Sequence, residues 1–272
     1  MIQAIQIGAY AARLAGVRTG RIATSTALFN LFVMASRLAT LVYTLMLAPI
    51  SDKAGDAVKT LLQHHEPFAL IGQVQHVFEI QLRLIVVAGT VGTILGSLML
   101  PMFTYLYVRG VRSFERTKSM PHSLARLFDP RVIFDIVGHL RVPHYREIFA
   151  FSTRNIPVRL LVFNVVVTAV YAIGVVAAYY ASILDINVAR TAVTISGIVN
   201  GIGTIAFTFF VDPTSSMIVD EAAKGERPHE EVKAMVFYLS VTAIVGWLVS
   251  QVLLWPAAWL ISAVARLVNF GQ

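Results

Sequence analysis

A chain of 272 residues that is 57% hydrophobic and 14% charged carries more apolar surface than a soluble domain hides, since soluble domains hold roughly 45 to 50% apolar and 25% charged residues. Together with a mean hydropathy of +0.71, this excludes a soluble enzyme, and the lack of cysteine excludes disulfide frameworks and thiolate metal sites. The net charge of +7 fits the Lys/Arg excess of cytoplasmic loops in a membrane protein better than a nucleic-acid surface.

In chain order, Met1–Ala12 is uncharged and moderately apolar. It is shorter than the about 20 helical residues that cross a hydrocarbon layer of roughly 30 Å, so it reads as a half-helix or an interfacial one. Arg13, Arg18 and Arg21 bracket the next turn, which contains Gly16 and Gly20. Full spans are expected over Ile22–Ile50, with Arg37 as its single charge, and over Leu84–Val108. Between them Ser51–Arg83, with His64, His65 and Glu66, reads as a loop on the outer side. Arg109–Arg159 holds ten Lys/Arg against four acids and reads as cytoplasmic. Leu160–Leu184 and Thr191–Val211 are uncharged spans, and Asp212-Pro213 is expected to end the second of them. Ala234–Ala265, interrupted by Pro256, is the last span.

These elements predict an all-α polytopic membrane protein of about six transmembrane helices, the first short or truncated. The organisation is one membrane domain: a three-helix half over 1–108, a basic segment over 109–158 and a second half over 159–265. With the basic segment inside, sixteen Lys/Arg fall on the cytoplasmic side, and five (Lys53, Lys59, Arg83, Arg190, Arg266) fall at the outer side. Within Arg112–Arg154, apolar residues such as Phe114, Phe128, Phe134 and Phe149 mix with basic ones. That mixture predicts amphipathic helices on anionic lipid, a more economical partner than nucleic acid.

A shift of 170 residues aligns Tyr10 with Tyr180, Ala11 with Ala181, Leu14 with Leu184, Thr24 with Thr194 and Asn30 with Asn200. The second and fifth helices so paired run in opposite directions, the relation of an inverted 3+3 repeat, which is a transporter signature. The fourth helix starts about 21 residues before Tyr180, but only nine residues precede Tyr10. Either the reading frame begins late, or the first helix enters half the bilayer.

Arg37 lies mid-span, where an arginine costs roughly 2.5 to 3.5 kcal/mol on insertion scales. A partner from another helix, a wet cavity or an anionic ligand must offset that cost. Arg13 and Arg18 are either positive-inside anchors or a diphosphate cluster, to which the planar guanidinium fork is suited. Glu79 and Arg83, four apart, share a helix face and read as an interfacial ion pair. Asn30 and Asn200 are either interhelical glue or polar lining. Asp212 and Asp220 are candidates for capping a helix, holding a cation or carrying a proton. Gly92/Gly96 and Gly197/Gly201 permit close helix contact. Trp247, Trp255 and Trp259 serve packing or interface anchoring. No Walker A, G-x-S-x-G or H-E-x-x-H pattern occurs, so no catalytic role, cofactor or metal is expected.

The stretch RLAGVRTGRIATSTALFNLFVMASR (Arg13–Arg37) with Pro49, and SGIVNGIGTIAFTFFVDP (Ser196–Pro213) with Asp220, resembles the Amj family of bacterial lipid II flippases, which can substitute for the unrelated MurJ. The resemblance covers most of the chain and departs from the family at the truncated first span. It implies an undecaprenyl-diphosphate-linked disaccharide pentapeptide as substrate, moved from the cytoplasmic to the outer leaflet of the cell membrane. Arg13, Gly16, Arg18, Thr19, Asn30, Arg37, Asn200, Asp212 and Pro213 match the motif, and the resemblance assigns them no roles. Arg37 is expected to meet the diphosphate at mid-membrane after Arg13 and Arg18 receive it. The alternatives are an ion-coupled exporter of another solute, a lipid-phosphate enzyme using His64, His65 and Glu66, and a non-transporting scaffold.

Overall fold

A computed structural model describes residues 2–118 and 155–269, so most of the expected amphipathic segment lies outside the described residues. Every regular element among them is helical: α1 (Ile2–Thr19), α2 (Ile22–Gln63), α3 (Phe68–Leu98), α4 (Leu100–Thr117), α5 (Val158–Leu184), α6 (Ala189–Ala206), α7 (Asp212–Ala223) and α8 (His229–Asn269). A 3₁₀ turn, Ile186–Val188, precedes α6, and a π turn, Phe207–Val211, joins α6 to α7. Five helical runs are long and apolar enough to cross a membrane: Ile22–Gln63, Phe68–Leu98, Val158–Leu184, Ile186–Ala223 and His229–Asn269. Five full spans with a short first helix are what the sequence predicts.

Three boundaries differ from the sequence reading. Ser51–Arg83 is not a loop: α2 runs on to Gln63 and α3 starts at Phe68. Val58, Ile71, Phe78 and Leu82 are buried along these extensions, so amphipathic periodicity carries the helices past the charges that ended the apolar stretch. Leu84–Val108 is not one span, because the helix breaks at Met99 and restarts as α4 with Pro101 in its first turn. Asp212-Pro213 does not end the helical run Ile186–Ala223. A proline in a first turn gives up only an N–H that has no intrahelical acceptor, and the π turn hands the chain on to α7.

The chain divides into two compact units. One comprises Met1–Leu38, Gly92–Phe163 and Phe209–Ile244; the other comprises Ala39–Val91, Asn164–Thr208 and Val245–Gln272. Helices α2, α3, α5 and α8 therefore contribute residues to both units. The 170-residue shift carries the Leu38/Ala39 boundary in α2 onto the Thr208/Phe209 boundary in the second half.

In the first unit α1 packs on α4. Ala11, Ala12 and Ala15 meet Tyr107 and Val111, and Leu28 of α2 joins them. Gly20, at φ +67°, turns the chain between α1 and α2 in a left-handed conformation that glycine adopts without strain. A Cβ on Gly16 would lie 3.2 Å from the Cα of Ile22, so glycine lets the two helices close on each other. Ser25 Oγ locks the turn by donating to the Ala12 carbonyl at 2.6 Å. Gly96 abuts Ala4, where an added Cβ would come within 2.7 Å of Cα. Gly197 and Gly201, by contrast, face open space.

The second unit is built around α5, whose residues 172 to 183 are buried on all sides. Phe78, Leu82 and Val86 of α3 and Leu254, Ala258 and Ile261 of α8 pack in the same core. A helix apolar all round belongs at the centre of its unit.

Candidate functional site

Arg13 emerges from α1 between the Tyr10 ring and α7. Its side chain is 14% exposed, and Nη2 pairs with Asp212 Oδ1, 199 residues away. The guanidinium carbon lies 5.9 Å from the Tyr10 ring centroid, within cation–π range. Nη1 is buried and has no hydrogen-bond acceptor. A buried donor without a partner is uncommon and calls for a ligand or water. Asp212 opens α7, and its side chain stays 42% exposed.

The Arg13 guanidinium borders a cavity of about 250 Å³ that lies wholly within the first unit. Ala9, Ala12 and Gly16 of α1 form one wall. Ile22, Thr26, Phe29 and Asn30 of α2 form the second, and Asp212, Ser216, Val219 and Asp220 of α7 the third. Asp212, Ser216 and Asp220 stand at i, i+4 and i+8 and so share a face. Asn30 and Asp220 are exposed, and their side chains make no hydrogen bond or ion pair among the described residues.

Of the residues singled out from sequence, the fold brings Arg13, Asn30, Asp212 and Asp220 to this cavity, with Pro213 setting the first turn of α7. It does not bring Arg18, Arg37 or Asn200. Arg18 is exposed and has no partner among the described residues. Arg37 is also exposed and, among the described residues, unpaired; it lies seven residues beyond Asn30 on the same face of α2. The residues around it on α2, Met34, Leu38 and Leu41, are exposed apolar side chains.

Asn200 belongs to the second unit, where Gly174 makes room for it. A Cβ there would lie 2.5 Å from Asn200 Oδ1, which is buried and receives no hydrogen bond. Glu79 and Arg83 form a satisfied network in the same unit. Arg83 Nε donates to Glu79 Oε1 at 2.7 Å, and Tyr180 Oη donates to Glu79 Oε2 at 3.0 Å. Arg83 Nη1 donates to the Gln251 carbonyl at 2.8 Å, and Gln251 Nε2 returns a bond to the Arg83 carbonyl at 3.1 Å. His64, His65 and Glu66 lie in the exposed turn between α2 and α3.

Sequence reading missed Ser216, Thr26 and Gln251, and it noted Tyr180 as a repeat match without its bond to Glu79. Ser216 carried a signal, its helical spacing midway between two aspartates. Gln251 carried none, since its partner is 168 residues distant.

Outside the membrane-length runs, Arg227 joins α7 to α8. It donates to Glu221, and to Glu231 at 2.8 Å. The bond to Glu221 raises its already high pKa further.

The Amj family profile, described as "Alternate to MurJ", matches residues 1–265. The chain is 33% identical over 263 residues to a protein of Bacillus subtilis (strain 168) named "Lipid II flippase Amj", covering 96% of this chain and 92% of that one. No solved structure matches the chain.

Proposed function

The chain belongs to the Amj family, and from that membership and the site geometry we propose that it is a lipid II flippase whose first-unit cavity receives the substrate diphosphate on Arg13. The observation that carries the site assignment is Arg13 itself, a cation that lines the cavity and whose buried Nη1 has no hydrogen-bond acceptor. A guanidinium edge matches the geometry of a phosphoryl oxygen pair. At about 250 Å³ the cavity falls below the roughly 300 to 1,000 Å³ that encloses a whole drug-sized ligand. It therefore takes the diphosphate and leaves the disaccharide pentapeptide outside.

Arg37 is the next cation along the path. Seven residues of helix separate it from Asn30, a rise of about 10 Å, and Thr26, Asn30 and Arg37 make a polar stripe on one face of α2. A guanidinium exposed to lipid at mid-span is costly, so the stripe faces water or the passing headgroup. The coincidence of one unit boundary, Leu38/Ala39 with Thr208/Phe209, at the 170-residue shift and the residue matches at that shift support an inverted 3+3 architecture. The excess of basic residues in the first unit's segments supports cytoplasmic loading from a position in the cell membrane. A flippase moves its substrate without remaking bonds, so the chain acts as a transporter rather than an enzyme.

The test is complementation of a bacterium depleted of its lipid II flippases by Arg13→Gln and Arg37→Gln, each at wild-type protein level. Loss of growth with Arg13→Gln and slowed growth with Arg37→Gln are expected. Wild-type growth with both variants removes the arginines from the transport path.

A further inference from the structure

The diphosphate cavity already contains more negative than positive charge. Arg13 supplies one guanidinium, Asp212 and Asp220 supply two carboxylates, and α2 supplies only the uncharged Ile22, Thr26, Phe29 and Asn30. Among the described residues no other ionisable side chain lines it. A diphosphate diester brings two further negative charges and no titrating proton near neutrality. It must also compete with Asp212 for Arg13, because Asp212 Oδ1 already occupies Nη2.

We infer that Asp212 is a proton-accepting latch: when the substrate diphosphate takes the Arg13 guanidinium, Asp212 releases Arg13 and binds one proton, which it gives up again when the diphosphate leaves. This inference rests on the flippase reading of the cavity and adds its coupling chemistry. Three features support it. Asp212 is held by a single cation and loses that cation at the moment an anion arrives. Asp220 stands two helical turns away on the same face, a rise of about 12 Å, so it keeps the cavity acidic while the repulsion that Asp212 meets at close range comes from the incoming diphosphate. Ser216 lies between them with an exposed hydroxyl, able to accept a hydrogen bond from the protonated carboxyl.

The step balances. The Arg13 Nη2 to Asp212 Oδ1 hydrogen bond breaks, Nη1 and Nη2 donate to phosphoryl oxygens, and a solvent proton bonds to an Asp212 carboxylate oxygen. Asp212 remains 42% exposed, so the proton has a route from water. A metal cation is the poorer occupant: among the described residues no three carboxylate or imidazole side chains gather to hold one.

Proton uptake at Asp212 makes substrate affinity fall as pH rises, because the bound state carries the extra proton. The experiment is calorimetric titration of the purified full-length chain in zwitterionic nanodiscs with a farnesyl-chain lipid II, in phosphate and in Tris at one pH. The difference in buffer ionisation heat counts protons. Wild type is expected to take up about one proton per ligand. Asp212→Asn, checked by its unfolding temperature, is expected to take up none and to bind about tenfold more tightly, since Arg13 no longer has a competitor. Asp220→Asn is expected to keep the uptake. Equal proton counts for wild type and Asp212→Asn overturn the latch, as does weaker binding by a folded Asp212→Asn. An affinity that changes when sodium is replaced by choline at fixed pH assigns the site to a metal cation and also overturns it. Wild-type protein that shows no binding heat at all removes the cavity from substrate binding, which is the failure of the flippase reading of this site rather than of the latch alone.

Discussion

Among the described residues the first unit holds twelve Lys and Arg against seven Asp and Glu, whereas the second holds five of each. The units also treat their polar groups differently. In the second, Glu79, Arg83, Tyr180 and Gln251 satisfy one another across α3, α5 and α8, and a network with its bonds made rigidifies the helices it joins. In the first, Arg13 keeps an empty donor, while Asn30, Asp220, Arg18 and Arg37 stand without partners among the described residues. Among the described residues Asn200 Oδ1 and Tyr43 Oη are the buried side-chain atoms of the second unit that lack a hydrogen-bond partner. Within the first unit Arg227 also holds helices together through Glu221 and Glu231, so the contrast is between these paired groups and the unpartnered ones at and beyond the Arg13 cavity.

If that division is right, substitutions in the second unit lower stability and leave transport per folded molecule intact, and substitutions in the first do the reverse. The largest effect is expected at Gly89. A Cβ there would lie 2.0 Å from the buried Trp247 ring, and overpacking of this kind costs about 3 kcal/mol. Gly89→Val should markedly lower the unfolding temperature in detergent. A normal unfolding temperature would mean that the α3 and α8 contact is looser than the packing shows.

Glu79→Gln comes next. It strips the countercharge from Arg83 but keeps an acceptor for Tyr180, and Arg83 is partly exposed, so a loss of about 1 to 2 kcal/mol is expected. Denaturant titration reads it. Lipid II transport that falls further than the folded fraction would break the comparison, since it would give the second-unit network a transport role.

The smallest stability effect is expected for Asp220→Asn in the first unit, within about 0.5 kcal/mol, because an exposed carboxylate without a partner contributes little. Its complementation should weaken severalfold, through the altered charge of the cavity. Destabilisation well beyond that, with transport unchanged, would make Asp220 a structural residue.

Much of the membrane architecture was legible in the residues. Apolar runs near 20 residues announced five spans, Arg37 stood out as the lone charge of its run, and the 170-residue shift paired segments that fall into opposite units. The boundaries were less legible where helices outlast their apolar stretch. Val58 and Phe78 are core residues set among charges, and composition alone ends a span at the first of these. Pro213 looks like a terminator in sequence, yet it sits in the first turn of a helix, where it costs no hydrogen bond, and Pro101, inside an expected span, sits where a helix restarts.

By itself, then, the amino-acid sequence determined that the chain must live in a bilayer, how many times it is able to cross, and which family motif it bears. These follow from properties that add along a chain: transfer free energy, helix length and the order of residues. Only the tertiary structure decided that Arg13 meets Asp212, that Asn30 and Asp220 share their cavity while Arg18 and Arg37 do not, and that Glu79 and Arg83 are bonded rather than available. An ion pair between residues 199 apart depends on how α1 packs beside α7 within the first unit, which no local pattern in either segment encodes.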